Sequence, residues 1–274
     1  MRWGAVDWSI LAPALAAGLL VLATHVPMGM QVLERGIVFI DLAIAQIAGL
    51  GVIAANAAGL GEGGLGVQLA AVSAALLGAA LLTWTERRAA AQQEALIGVL
   101  FVLAACGGIV LLADNPHGGE HLKDLLVGQV LWVTRTQLAA LAVLSALLLA
   151  AMASGALRRF GRFGFYGTFA LAVTASVQLV GVYLVFSSLI VPALATRGWT
   201  GRRRLAIAYA LGAAGYILGL VLSALFDLPS GAVIVWTLAA CGLALRGFAA
   251  TDRADGLDGH GARENHAPGA PRVE

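Results

Sequence analysis

Charge is what this sequence has least of. Asp, Glu, Lys and Arg make up 12% of its 274 residues, against 60% hydrophobic residues. So few polar groups cannot cover the surface of a water-soluble domain, and a mean hydropathy of +0.88 makes lipid the main solvent. Cysteine is nearly missing as well. Cys106 and Cys241 each stand alone in an apolar run, which excludes a disulfide framework or a C-x-x-C metal site and leaves them as small core residues. The net charge of +2 is too small for a nucleic-acid partner. No G-x-x-x-x-G-K-[ST] segment occurs, so the chain cannot hold ATP in a P-loop. Nor is there a nucleophile–base pair or an H-E-x-x-H-type motif within a span to support an enzyme.

What the chain has instead is a series of long apolar runs. A helix crossing the hydrocarbon needs roughly 20 apolar residues, and 9–28, 36–58, 66–84, 95–113, 137–154, 205–226 and 229–247 qualify. The first run follows a weak n-region without a clear cleavage site and reads as a retained span, not a signal peptide. The run 166–196 is long enough for one tilted helix or two short crossings folded at Gly181. The basic residues decide between these by the positive-inside rule. With two crossings and the N-terminus outside, only Arg2, Lys123 and Arg135 of the 17 basic residues fall outside. With one crossing that bias disappears. Gly181 and Pro192 agree, as residues that disrupt helices. The expected fold is therefore an all-α polytopic membrane protein with about eight to nine transmembrane helices. Residues 1–248 form the membrane domain, and 249–274, rich in Gly, Ala, Pro and charge, a disordered cytoplasmic tail. His260 and His266 in that tail read as incidental.

One outer loop is unlike its surroundings. The segment "DNPHGGEHLKD" (114–124) crowds charge and histidine between apolar runs, and His117, Glu120 and His121 form an H-x-x-E-H cluster. Imidazole and carboxylate both bind first-row divalent metals. The cluster is either a solvated spacer or a transient metal-handing site, and Gly118 and Gly119 argue against a stable helix there. The following "LLVGQVLWV" (125–133) is too short to span and reads as a short outer re-entrant or gating helix.

Three stretches, "ERGIVFIDLAIAQIAGLGVIAA" (34–55), "LLVGQVLWVT" (125–134) and "ALAVTASVQLVGVYLVFSSLIVPALATR" (170–197), resemble in order and spacing the ZnuB-like integral-membrane permeases of ABC importers for zinc, manganese or iron. The resemblance covers residues 10–247. It implies a permease homodimer in the inner membrane with the substrate path at the dimer interface. It also implies separate cytoplasmic ATP-binding subunits, a periplasmic metal-binding protein, and no cofactor bound by this chain beyond the metal ion it transports. Two departures stand out. Relatives carry a G-D-A-L-S-H-like segment whose Asp and His, four residues apart, are thought to pass the metal. Aligned on Arg35-Gly36, those positions are Leu42 and Gln46, and the acid stands one residue earlier as Asp41. Asp41 and Gln46 are about 140° apart around a helix and do not share a face. Secondly, the inner loop "GALRRFGRFGF" (155–165) is short and basic where relatives carry a longer acidic segment that docks on the ATPase.

The remaining candidates are intramembrane polar residues, costly to insert and therefore in need of a role or a partner. Asp41 reads either as a pathway group or as a helix-end ion pair with Arg35. Gln46 and Asn56 serve as pathway groups or as helix–helix hydrogen bonders. Gln178, just before Gly181, is placed either to contact a passing ion at a helix break or to act as structural glue. His25 reads as a solvated interfacial histidine, and the G-x-x-x-G of 215–219 as a packing motif. The alternative to an ABC permease is an ion-coupled secondary transporter working through Asp41.

Topology gives the first prediction. In a background lacking Cys106 and Cys241, a membrane-impermeant thiol reagent added to intact cells should label Gly118→Cys and not Arg203→Cys. Labelling of Arg203→Cys from outside would rule out two crossings in 166–196.

Overall fold

The computed structural model describes residues 8–60, 64–113, 115 and 118–264, with only the main chain at 118, 120–122, 124, 158 and 248–264. Ten α-helices follow one another: α1 (Trp8–Arg35), α2 (Ile40–Ala57), α3 (Leu65–Ala89), α4 (Gln93–Leu111), α5 (Gly118–Val127), α6 (Arg135–Ala153), α7 (Gly161–Val180), α8 (Val182–Ala195), α9 (Gly201–Phe226) and α10 (Ser230–Glu264). No strand occurs among the described residues. Among the described residues, seven segments are long and apolar enough to cross a membrane, one of them the 47-residue Leu65–Leu111. That one is two helices. Ala89 leaves helical geometry (φ −145°, ψ 50°), and a 3-10 turn at Ala90–Gln92 joins α3 to α4. The turn is held by a buried polar network. The Thr85 hydroxyl donates to the Gln93 amide oxygen (3.0 Å), while Gln93 Nε2 donates to Leu82 O (3.0 Å) and to the Tyr166 hydroxyl (3.3 Å).

Charged contacts mark the inner end of the bundle. Arg204 pairs with Glu34 at 3.2 Å, Arg162 lies 3.7 Å from Glu86, and Arg246 Nη2 donates to Leu194 O (2.9 Å). These arginines are among those the positive-inside rule puts inside.

The centre of the bundle is α7 and α8, which include Tyr166, Phe169, Leu184 and Leu189, all fully buried. Leucine and valine on α3, α4 and α6, such as Leu77, Leu103 and Leu147, remain exposed on the outside of the bundle, where lipid would solvate them. The run 166–196 does break at Gly181, whose φ of 82° ends α7 and starts α8. The chain turns back there. Gly29 of α1, near the inner end, sits against Leu189 and Ala193 of α8. The 14 residues of α8 rise about 21 Å, too little to cross roughly 30 Å of hydrocarbon unaided. It is tolerated because α1 and α10 flank it and its inner end is capped, by Arg246 on Leu194 O and by the Thr196 hydroxyl donating to Pro192 O (2.7 Å). Pro192 is thus not part of the break but lies in the last turn of α8. The G-x-x-x-G of 215–219 does pack closely: a Cβ at Gly215 or Gly219 would collide with Leu238 or Ile234 of α10, and the Thr237 hydroxyl donates to Gly215 O at 2.7 Å.

Two expectations shift. The short outer helix is Gly118–Val127, not 125–133, and only a 3-10 turn (Val130–Trp132) follows it. Its stop is Gly128 at φ 71°, a left-handed conformation glycine adopts without penalty. Gly118 and Gly119 open this helix, where their low propensity matters least because the first turn lacks intrahelical N–H bonds in any case. At the other end of the chain, α10 continues past residue 249 to Glu264, through a stretch expected to be a disordered tail; 265–274 lie outside the described residues.

The two glycine stops meet. A Cβ on Gly128 would strike the backbone of Val180 and Gly181, and one on Gly181 would strike Val127 and Gly128. Gly128→Ala and Gly181→Ala each combine that collision with a positive-φ backbone costing roughly 1–3 kcal/mol, so each should lower the melting temperature of the purified chain by several degrees. Gly119→Ala, with open space around its Cβ, should not. Unchanged melting in both of the first two would mean the contact is not formed.

Candidate functional site

The outer ends of α2, α3, α4, α6 and α7 do not close on one another. They leave a cavity of about 460 Å³, with α5 and the 3-10 turn at its edge. Its walls are apolar (Ile53, Trp132, Val177), but six carboxamides reach it: Asn56, Gln68, Asn115, Gln129, Gln137 and Gln178. Among the described side chains no carboxylate, imidazole or basic group lines it. Helix geometry explains the gathering, since each amide sits within about a turn of a helix end or in the connection between α5 and α6, where a polar group can reach the interface.

Several of these amides are fixed in place. Gln68 Nε2 donates to Gln178 Oε1 at 2.6 Å, joining α3 to α7. Gln137 closes a capping box at the start of α6, its Oε1 accepting from Thr134 N at 2.9 Å. Asn56 Oδ1 is buried and accepts no hydrogen bond. Such an acceptor costs free energy until something donates to it.

Gln178 therefore stands at the cavity, beside the break as its sequence position suggested, with Gln68 as its partner. Asn56 joins it. Asp41 does not, since it lies fifteen residues before Asn56 on α2, or about 22 Å along the axis. It is fully buried, and neither of its oxygens accepts a hydrogen bond. The expected ion pair is not made: Arg35 is exposed, with its guanidinium 4.1 Å from the centre of the Phe165 ring. The carboxyl in the first turn of α2 is buried in the bundle, while Arg35 lies over Phe165 of α7. Gln46 is half-buried on α2 and does not line the cavity. His25 is not interfacial but buried, its ring Nδ1 2.9 Å from Val21 O, because α1 runs on ten residues past it to Arg35. His117 lies outside the described residues. Glu120 and His121 belong to the first turn of α5, and their side chains are likewise outside the description. Sequence reasoning singled out two of the six amides. The signal it passed over was the recurrence of Asn and Gln at the ends of apolar runs on one side of the membrane.

The fold is that of a multi-pass helical membrane protein with an amide-lined cavity at one end. The chain belongs to the ABC 3 transport family, which it matches over residues 7–155 and 150–248. It is 28% identical over 250 residues to the manganese transport system membrane protein MntC of Halalkalibacterium halodurans, covering 84% of each chain. Its fold is similar to PsaBC from Streptococcus pneumoniae in complex with Fab (TM-score 0.67, 21% identity, 86% of this chain and 89% of that one). It is also similar to a metal-chelate type ABC transporter in an inward-facing conformation (TM-score 0.64, 17% identity, 85% and 84%).

The separation of Asp41 from Arg35 is testable. Residues in one ion pair usually couple by roughly 0.5–3 kcal/mol. The melting shifts of Asp41→Asn and Arg35→Gln should instead add in the double variant. Clear non-additivity would restore the helix-end pair.

Proposed function

We propose that this chain is the membrane-spanning permease subunit of an ABC importer for a divalent metal ion, manganese or zinc, in the inner membrane. One observation carries the reading: a chain of the ABC 3 transport family keeps a polar cavity at the outer end of an otherwise apolar bundle. Manganese transport by a relative that matches over 84% of the chain supports the cargo. The working assembly is a homodimer with two cytoplasmic ATPase subunits, fed by a periplasmic metal-binding protein. The ATPases dock on the inner loops around 155–165 and 197–204, whose arginines the inner-end contacts anchor. His117, Glu120 and His121 receive the metal at the mouth; their ligand chemistry and their sequence position next to α5, whose Leu125 lines the cavity, support this. Asp41, Gln46 and Gln178 follow along the path. The buried, unpartnered Asp41 is the one feature that favours the alternative, a secondary transporter coupled to an ion gradient.

Two experiments test this reading. In liposomes, manganese accumulation should require the ATPase and hydrolysable ATP. Accumulation by this chain alone from an ion gradient would replace the ABC reading with the secondary transporter. In cells, His117→Ala with His121→Ala should lower uptake several-fold at limiting metal and recover at high metal. Unchanged uptake at limiting metal, with expression confirmed, would reduce the outer cluster to a spacer.

A further inference from the structure

We propose that the inner ends of α1, α6 and α7 form a seat for one anionic phospholipid of the cytoplasmic leaflet, its phosphate on Arg35. The proposal goes beyond the importer reading and does not depend on it.

A second cavity, of about 410 Å³, lies at the inner end of the bundle between α1, the last turn of α6, the 3-10 turn Ala156–Phe160 and the start of α7. That volume is in the range of small-ligand pockets. Along α1 its wall runs from exposed Arg35, through Gln31, to buried Met28. Met28 is about 10 Å farther along the axis than Arg35. The wall thus changes from cationic to apolar over the depth of a lipid headgroup and its glycerol.

Arg35 is free to take an anion. Its guanidinium lies 4.1 Å from the centre of the Phe165 ring and makes no ion pair among the described residues. The ring contact steadies the group and leaves its charge uncompensated, and its planar fork of N–H donors suits a phosphate. The nearby carboxylates are engaged elsewhere: Glu34 with Arg204, Glu86 with Arg162, and Glu94 with Phe39 N. Gln31 adds a neutral donor, because its one hydrogen bond, a long 3.5 Å to Pro27 O, uses a single N–H.

The surroundings favour a lipid over a soluble anion. Helix α6 is at the perimeter of the bundle, where Val143 and Leu147 are exposed to lipid, and the cavity reaches its Met152. Met28 and Met152 offer adaptable thioether surface that fits glycerol and the first acyl carbons and that a free phosphate cannot use. Basic pockets between helices on the cytoplasmic side suit anionic headgroups. A zwitterionic lipid fits less well, because the Phe165 face that would take its cation already carries Arg35. A headgroup held here joins the end of α1 to Leu157, in the inner loop 155–165.

The full chain, delipidated in a neutral detergent, is supplied with phosphatidylglycerol or phosphatidylcholine of identical acyl chains. Retained lipid is counted by native mass spectrometry, and melting is followed in parallel. Wild type should keep one phosphatidylglycerol per chain and melt several degrees higher with it, and should keep far less phosphatidylcholine. Loss of one charge-assisted contact in Arg35→Gln should weaken phosphatidylglycerol retention about ten-fold. Arg87→Gln, an exposed inner arginine outside the cavity, should leave it unchanged. Gln31→Leu should weaken retention in the same direction and serves if Arg35→Gln does not fold. Equal retention of both lipids, or equal losses in Arg35→Gln and Arg87→Gln, would overturn the proposal and leave only a general attraction of the inner arginines for the leaflet. Glycerol 3-phosphate raising the melting temperature as much as the lipid would overturn it in favour of a soluble anion.

Discussion

A backbone inside a membrane can be interrupted only where protein, not lipid, surrounds the interruption. The outer half of this molecule follows from that constraint at Gly181. With φ at 82° the chain reverses between α7 and α8. The orphan groups of two helix ends are then brought to the outer end of the bundle, where α5 stops at Gly128 against them. Neither glycine tolerates a Cβ, since each would have it inside the other's backbone. A fourth helix joins the same point, because a Cβ on Gly231 of α10 would meet Val127 O.

The cavity stands beside this contact. Because α7 ends at Val180, Gln178 comes to the outer mouth instead of lying in the middle of a longer helix, and there it meets Gln68. α5 is held at its C-terminal end against this break, and its Leu125 lines the cavity. The outer end thus combines a fixed break, an apolar-walled cavity reached by neutral carboxamides, and a short helix bearing the metal-ligating residue types. At the inner end the organisation is different: ion pairs of Arg204 with Glu34 and of Arg162 with Glu86 join helix ends, α9 to α1 and α7 to α3.

Much of the fold was legible in the sequence because lipid imposes length and charge rules that act locally. Run length gave the long helices, and the arginine bias located the reversal in 166–196 before any contact was known. Boundaries were less legible. The short outer helix was expected over 125–133 because hydrophobicity begins at Leu125, but helix α5 occupies Gly118–Val127, since Gly128 must be left-handed to lie against Gly181. That is a tertiary requirement with no local signal. The site was legible only in part. Gln178 was found from its nearness to a glycine break. Asn56 was read chiefly as a helix–helix hydrogen bonder, and Gln68, Asn115, Gln129 and Gln137 were passed over, because each is unremarkable alone and the six converge only in three dimensions. Asp41 was placed correctly within a span, yet its sequence neighbour Arg35 proved a poor guide to its surroundings.

The contact between Gly128 and Gly181 is the central structural claim, and backbone hydrogen exchange tests it most directly. In the full chain reconstituted in a bilayer, the amides of 125–128 and 178–185 should exchange slowly and with a common time course, as one cooperative unit. Fast exchange of 125–128 at the rate of a surface loop, with 178–185 still protected, would contradict the account, because α5 would then not be held at the break.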